Sequence, residues 1–304
     1  MSSYSSIASY LLAVKLRTKK TLLVEGATDK KIISHFILKK NFTQNTSSDY
    51  CIDDASLVDD KTIGPIGAKQ KILNIASKLN VEKFRCLVDR EWDGFETSSF
   101  KYKKIGHQSN TYVTKGHSIE NYWFTSDSFI LFIIHTHPTL VSEHYLQAVS
   151  DNYVAILQFS AAYSLACRDY AILTRADEMI SYENLDWENN QFKAKKCIDT
   201  KITERGLSCD LSGKVNEYLS FTTKLDEATL QWMCHGHLGE QAIRACIGRL
   251  ALQAGYEHST IKSITHGFKT EKLKLDADHV TSLPEERCAP LPAVLEWIRG
   301  TTSQ

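Results

Sequence analysis

Short apolar runs alternate with amphipathic stretches along the first 125 residues of the chain. The runs "TLLVE" at 21–25 and "FRCLVD" at 84–89 have the length of buried strands, and "DYCIDDASL" at 49–57 is strand-like as well. Between them, "TDKKIISHFILKK" at 28–40 and "GAKQKILNIASKLN" at 67–80 place apolar residues on one helical face. Strands that alternate with amphipathic helices indicate βαβ units, so we expect a parallel sheet.

The pattern changes at about residue 126. The segments 144–173, 238–256 and 289–300 have helical periodicity, with polar stretches between them. We therefore predict an α/β protein with two domains. A parallel-sheet domain with an N-terminal helix covers residues 1–130, and a mostly helical C-terminal domain covers residues 131–304. The second domain is expected to serve in dimerisation or in binding a partner or substrate.

Composition narrows the class of protein only slightly. Lys plus Arg equal Asp plus Glu at 36 each, so a polyanion would have to bind to a local basic patch. The longest apolar run, "FILFII" at 129–134, is far shorter than the roughly 20 residues that span a bilayer. The eight cysteines are scattered without a CxxC pair, and the N-terminal positive charges follow the apolar segment. Both features favour a cytoplasmic protein with reduced thiols and no secretory signal.

Acidic side chains follow two of the predicted strands. Glu25 ends the first run, and Asp89 ends the run at 84–89. Because the carboxyl ends of parallel strands meet at one edge of a sheet, we expect these acids to lie close together. Like charges gathered there need a cation, and Mg²⁺ and Mn²⁺ prefer carboxylate oxygens. The predicted metal site consists of Glu25, Asp29, Asp89, Glu91 and Asp93.

Each acidic turn, taken alone, is more often structural than functional. "VEG" is a common strand-to-turn sequence, and "DREWDG" is typical of a solvated acidic turn closed by Gly94. Two apolar strands that both end in acid, with one or two helical units between them, favour the metal site over these readings. The segment "GPIGAK" at 64–69 lacks the full phosphate-loop spacing, so we interpret it as a turn before a helix, with Lys69 and Lys71 as candidate phosphate contacts.

Two further segments carry candidate catalytic residues. Glu120 stands in the apolar and aromatic segment "HSIENYWF", and His237 stands in "WMCHGHLG". A zinc site at Cys234, His235 and His237 would need about four such ligands, and no second cluster stands at a familiar spacing. The structural alternative is a satisfied histidine that opens the helix "LGEQAIRACIGRL".

The acidic segments carry a family resemblance. "LLVEGATD" followed by "CLVDREWDG" resembles the TOPRIM domain, the Rossmann-like module of topoisomerases, primases and OLD-type nucleases. The resemblance implies that Glu25 is the catalytic acid or base and that Asp89 and the acids after it hold Mg²⁺. Asp29 and Glu120 match two further acids of OLD-type members. The chain departs from the pattern at position 91, where Glu replaces Asp, so either Glu91 or Asp93 would be the second metal ligand.

A resemblance over most of the chain is more specific. "VEGATDKK", "LVDREWDGF", "HSIENYWF" and the late "HGH" are similar to the TOPRIM effectors that are encoded beside ABC-type ATPases in anti-phage systems of the PARIS type. It implies a nuclease that its ATPase partner holds inactive, that is released as a dimer after a phage trigger, and that cleaves tRNA. His237 would contact phosphate or carry a proton, so the predicted catalytic residues are Glu25, Asp89, Glu120 and His237.

Two alternatives stay open at this point. One is a DNA endonuclease of the OLD type. The other is a non-catalytic regulatory subunit of a defence complex that uses its acidic edge only to bind a metal or a partner. A full set of acids favours an enzyme, because a subunit without catalysis has no need of both Glu25 and Asp89.

Overall fold

Strands and helices alternate in the first part of the chain. The computed structural model describes residues 3–46, 48–60, 64, 66–106, 108–265 and 277–300. Its strands are β1 (Lys20–Val24), β2 (Tyr50–Asp54), β3 (Phe84–Val88), β4 (Phe95–Glu96), β5 (Lys101–Tyr102), β6 (Thr111–Val113), β7 (Leu185–Glu188) and β8 (Gln191–Ala194).

The α-helices follow the same numbering by chain order. They are α1 (Ile7–Leu16), α2 (Ala27–Thr43), α3 (Ala68–Lys78), α4 (Ser126–Thr136), α5 (Glu143–Asp151), α6 (Tyr153–Asp169), α7 (Cys197–Glu204), α8 (Leu211–Thr222), α9 (Glu227–Met233), α10 (Gly236–Gln253), α11 (His258–Thr265) and α12 (Leu291–Arg299). Residues 277–282 are also helical, and short 3₁₀ helices include Ile119–Trp123.

The predicted parallel sheet is confirmed. Its order is β2-β1-β3-β6, and β1 pairs in parallel with both β2 and β3. In the β1–β3 register Leu22 lies opposite Arg85 and Leu23 opposite Cys86, so Glu25 and Asp89 leave neighbouring strands at the same edge of the sheet. This edge is where the ligands of open α/β sheets bind.

Burial of both faces explains why β1 is a continuous apolar run. Leu23 packs into a core with residues of α1 and α3, among them Tyr10 and Ile72. Leu22 and Val24 point to the opposite face by the two-residue alternation of a strand, and both are fully buried as well. A strand buried on both faces is characteristic of a parallel sheet covered by helices.

The chain groups into two compact units. The first comprises Met1–Phe95, Tyr102–Lys115 and Leu273–Gln304, and the second comprises Glu96–Lys101 and Gly116–Lys272. These units differ from the predicted ranges 1–130 and 131–304 at both ends. The difference has a physical cause in each case.

Two sets of contacts account for the difference. The C-terminal helix α12 belongs to the first unit, because the indole Nε1 of Trp297 donates to the carbonyl of Glu82 (3.1 Å) and the hydroxyl of Tyr112 donates to the carbonyl of Ala293 (3.0 Å). Segment 116–130 belongs to the second unit. There the amide of Asn121 donates to the carbonyl of Cys234 (2.9 Å).

The second unit is mostly helical, as predicted. Helices α6 and α10 are buried along most of their length. The unit also contains an antiparallel hairpin, β7–β8, that the sequence analysis missed. Its turn, Asn189–Asn190, has φ values of 52° and 57°, the left-handed conformation that asparagine tolerates in two-residue hairpin turns. In the part of the chain that the structure describes, no helix combines the length and apolarity needed to cross a bilayer.

Candidate functional site

Glu25 connects the ends of two neighbouring strands. It follows β1 directly, and its Oε1 accepts a hydrogen bond from the backbone N–H of Asp89, the residue after β3, at 2.8 Å. The pKa of the Glu25 carboxyl is raised to about 7, mainly by burial and to a lesser extent by the nearby carboxylates Glu91 and Asp29, against the lowering effect of that hydrogen bond and of Lys69. The structure thus brings Glu25 and Asp89 together and holds Glu25 close to its titration point at neutral pH.

Asp29 has a local structural role beside Glu25. It is the third residue of α2, and its Oδ2 accepts from the backbone N–H of Gly26 at 2.8 Å, which satisfies a donor at the start of the helix. A carboxylate in the first helical turn also interacts favourably with the helix dipole. Asp29 therefore lies near Glu25 and also caps the start of α2.

The turn after β3 is attached to the last strand of the sheet. The backbone N–H of Arg90 donates to the hydroxyl of Thr114 (2.8 Å), whose own N–H donates to the carbonyl of Val88 (3.1 Å). The guanidinium of Arg90 stacks over the ring of Tyr102, 4.5 Å from its centroid. These contacts fix the backbone of the turn that carries Asp89.

Lys69 pairs with both outer acids of that turn. Its Nζ lies 3.2 Å from Oε2 of Glu91 and 2.8 Å from Oδ2 of Asp93, and it donates to the carbonyl of Arg90 at 3.0 Å. Glu91 itself has φ +54°, in the left-handed region. Lys69 was predicted as a candidate phosphate contact. The segment "GPIGAK", which ends at Lys69, includes Pro65, which lies outside the described residues.

The five predicted metal ligands therefore separate into two groups. Glu25, Asp29 and Asp89 lie around the ends of β1 and β3, whereas Glu91 and Asp93 share the ammonium of Lys69, which offsets one of their two negative charges. Across the described ranges, no three or more His, Cys, Asp and Glu side chains are arranged to hold a metal ion. The metal site stays a prediction, and the ammonium of Lys69 occupies the position beside Glu91 and Asp93.

A third strand also ends in an acid, which was not among the predicted site residues. Asp54 ends β2, is 6 % exposed, and lies 3.6 Å from the Nζ of Lys30. Its Oδ1 also accepts from the backbone N–H of Ser56 at 3.1 Å. The signal was present in "YCIDD", a predicted strand that ends in acid in the same way as the other two. The ion pair with Asp54 holds Lys30 near the same edge of the sheet.

Glu120 and His237, predicted as catalytic, come together in the second unit. Glu120 is 9 % exposed, and its Oε1 lies 3.9 Å from Nδ1 of His237, whose side chain is exposed. Gly236 makes this approach possible: a Cβ there would stand 2.7 Å from Oε2 of Glu120 and 2.4 Å from the hydroxyl of Ser118. The segments "HSIE" and "HGH" thus form one polar cluster.

Cys234 and His235 have structural roles. The thiol of Cys234 is buried and donates to the carbonyl of Leu230 (3.2 Å), and burial raises its pKa to about 12. His235 caps α10, where its Nδ1 accepts from the backbone N–H of Leu238 at 3.4 Å. Burial lowers the pKa of His235 to about 4, so the ring is neutral at pH 7. The alternative of a satisfied histidine that opens the helix describes His235.

No model of a known protein family matches the chain, and no curated protein matches it. The resemblance to TOPRIM effectors therefore rests on the motifs quoted from the sequence.

Proposed function

We propose that the chain is a Mg²⁺-dependent nuclease that hydrolyses phosphodiester bonds at the acidic edge of its first unit. One observation carries the proposal: the partly buried Glu25 carboxyl accepts a hydrogen bond from the backbone N–H of Asp89, at the end of the neighbouring strand, and has a pKa of about 7. A carboxyl group that titrates near neutral pH at the ligand-binding edge of an α/β sheet is a candidate for proton transfer and for metal binding.

The donor set suits a hard divalent cation. Mg²⁺ usually keeps several waters and binds through one or two carboxylates together with oxygens of the substrate phosphate, so it does not require three preassembled protein ligands. Glu25 and Asp89 would hold it, with Glu91 or Asp93 as a further ligand, and Mn²⁺ would fit the same oxygens. When bound, the ion would supply Lewis acidity and neutralise charge on the phosphate.

Glu25 has the properties of a general acid or base. Catalytic efficiency is highest when the pKa of the group lies near the operating pH, and burial brings Glu25 there. The backbone N–H of Asp89 holds its Oε1 in place, so the second oxygen is the one oriented for a proton or a ligand. Glu120 and His237 are proposed as a second proton-carrying pair, supported by their proximity in the second unit.

RNA is the preferred substrate, and the family resemblance specifies tRNA. Because the chain has no net charge, the polyanion must be bound locally. Lys30, Lys31 and Arg90 belong to the first unit and are candidates for phosphate contacts, and Lys30 is oriented by Asp54. The resemblance further supports a cytoplasmic effector with an ABC-type ATPase partner and a homodimeric active form.

One observation favours the non-catalytic alternative. Lys69 forms ion pairs with both Glu91 and Asp93, as expected of a structural turn without metal. The identity of residue 25 favours the catalytic alternative, because a residue that only accepts a hydrogen bond from the Asp89 N–H would not need an ionisable group. A cleavage assay separates these alternatives.

The experiment compares the purified protein with its Glu25→Gln variant on tRNA and on plasmid DNA, each with Mg²⁺ or a chelator. We expect wild type to cut tRNA only with Mg²⁺ and the variant to be slower by about 10²–10⁴-fold. Glu82→Gln is the matched control, because Glu82 is an exposed residue of the same unit that precedes β3 at the opposite edge. Cleavage of plasmid instead would identify a DNA endonuclease, and equal cleavage by wild type and Glu25→Gln would remove Glu25 from the mechanism.

A further inference from the structure

The ammonium of Lys69 is surrounded by oxygens in the way a bound cation would be. Three oxygens lie within 3.2 Å of its Nζ: one carboxylate oxygen each of Glu91 and Asp93, and the carbonyl of Arg90. The Lys69 side chain is only 13 % exposed, so much of its solvation comes from these groups. It starts from the first turn of α3, outside the turn that it neutralises.

Lys71 shows that this arrangement is specific to Lys69. It lies two residues further along α3 and is also partly buried, but its Nζ donates to the carbonyls of Val58 (2.8 Å) and Ala55 (3.3 Å). Lys71 thus closes the end of a loop through neutral acceptors. Lys69, in contrast, pairs with two of the acids that the sequence predicts as metal ligands.

A divalent cation and Lys69 would compete for the same carboxylates. Glu91 and Asp93 can bind a metal ion only if the ammonium moves away, since two cations cannot share those oxygens without strong repulsion. A cation held by Asp89 alone would still bind next to a positive charge. Even at the dielectric constant of water, a unit charge about 6 Å from a divalent ion changes its affinity about tenfold.

We propose that Lys69 is a resident counter-cation that competes with the divalent ion for Glu91 and Asp93 and thereby sets the affinity of the site. This inference rests on the proposed function, because it assumes that the acidic edge binds a metal. In the metal-free protein Lys69 keeps the two acids paired and the turn closed. Metal loading displaces the ammonium, and the carboxylates then bind the divalent ion.

Titration with Mn²⁺ at fixed pH and ionic strength, followed by the loss of the free-ion EPR signal, tests the proposal without an activity assay. Lys69→Met removes the charge and keeps the length of the side chain, and we expect it to bind Mn²⁺ about tenfold more tightly than wild type. Lys69→Arg keeps the charge and should bind at least as weakly as wild type. Lys71→Met is the matched control and should leave the affinity unchanged.

The outcomes separate this inference from the proposed function. If wild type binds Mn²⁺ and Lys69→Met binds it equally or more weakly, Lys69 does not compete and the inference is overturned, while the metal site stands. If no variant binds Mn²⁺, the proposed function fails together with the inference. Lys69→Gln provides a second neutral variant should Lys69→Met not fold, and the same tenfold tightening is expected of it.

Discussion

We expect the partly buried carboxyl of Glu25 to lower the stability of the metal-free protein at neutral and alkaline pH. Burial raises its pKa from the ordinary 4.5 to about 7, so between these values the folded state binds more protons than the unfolded state. Stability therefore falls as the pH rises through this window, and the full penalty applies above it. At 1.36 kcal/mol per pKa unit, the shift corresponds to about 3 kcal/mol.

The substitution Glu25→Gln isolates this effect. Glutamine has no charge to desolvate, and its Oε1 can still accept from the backbone N–H of Asp89. In the presence of a chelator we expect the variant to be about 3 kcal/mol more stable than wild type at pH 8, and less than about 1 kcal/mol more stable at pH 5. Urea denaturation at both pH values measures the difference.

Divalent ions and a control variant complete the test. If Glu25 helps to bind Mg²⁺, adding the ion at pH 8 raises the unfolding midpoint of wild type by mass action and leaves that of Glu25→Gln unchanged. Glu82→Gln, at an exposed position, should show no gain at either pH. A Glu25→Gln variant with the same stability difference at pH 5 and pH 8 would refute the reasoning, because the carboxylate would then not be desolvated.

Two further substitutions test the packing around the site and the boundary of the first unit. Gly236→Ala places a methyl group against the buried carboxylate of Glu120 and should cost about 1–3 kcal/mol in denaturation, whereas Gly67→Ala, which meets no atom within 4 Å, should be nearly neutral. Trp297→Ala removes a side chain that is 8 % exposed and should cost about 3–5 kcal/mol, with faster proteolysis between residues 277 and 300 than in wild type.

The sheet and its acidic edge could be predicted because both depend on local sequence. A strand buried on both faces must be apolar along its length, and β1 and β3 are. The parallel arrangement then places Glu25 and Asp89 at one edge without further information. The same rule, applied to the acidic end of β2, also predicts Asp54 at this edge.

Long-range pairing was not predictable in the same way. The periodicity of α12 indicates a buried face, but it does not say which part of the protein covers that face. The pairing of Lys69 with Glu91 depends on a left-handed backbone at position 91, which glutamate rarely adopts and which no residue type signals. A lysine at the start of an amphipathic helix is normally solvated, so its role emerges only from the fold.

The way in which the charges are neutralised supports the catalytic reading over the regulatory one. The outer acids Glu91 and Asp93 are compensated by a resident lysine, and Asp54 is paired with Lys30. Glu25, which is less exposed than Glu91 and Asp93, is compensated mainly by one backbone N–H, and its pKa of about 7 leaves it between its two protonation states at neutral pH. A structural acceptor could be an amide, which would avoid the loss of about 3 kcal/mol of stability at alkaline pH. Glu25 is therefore explained better by a role in proton transfer or metal binding than by a role in folding, because it lowers stability at the edge of the sheet where ligands bind.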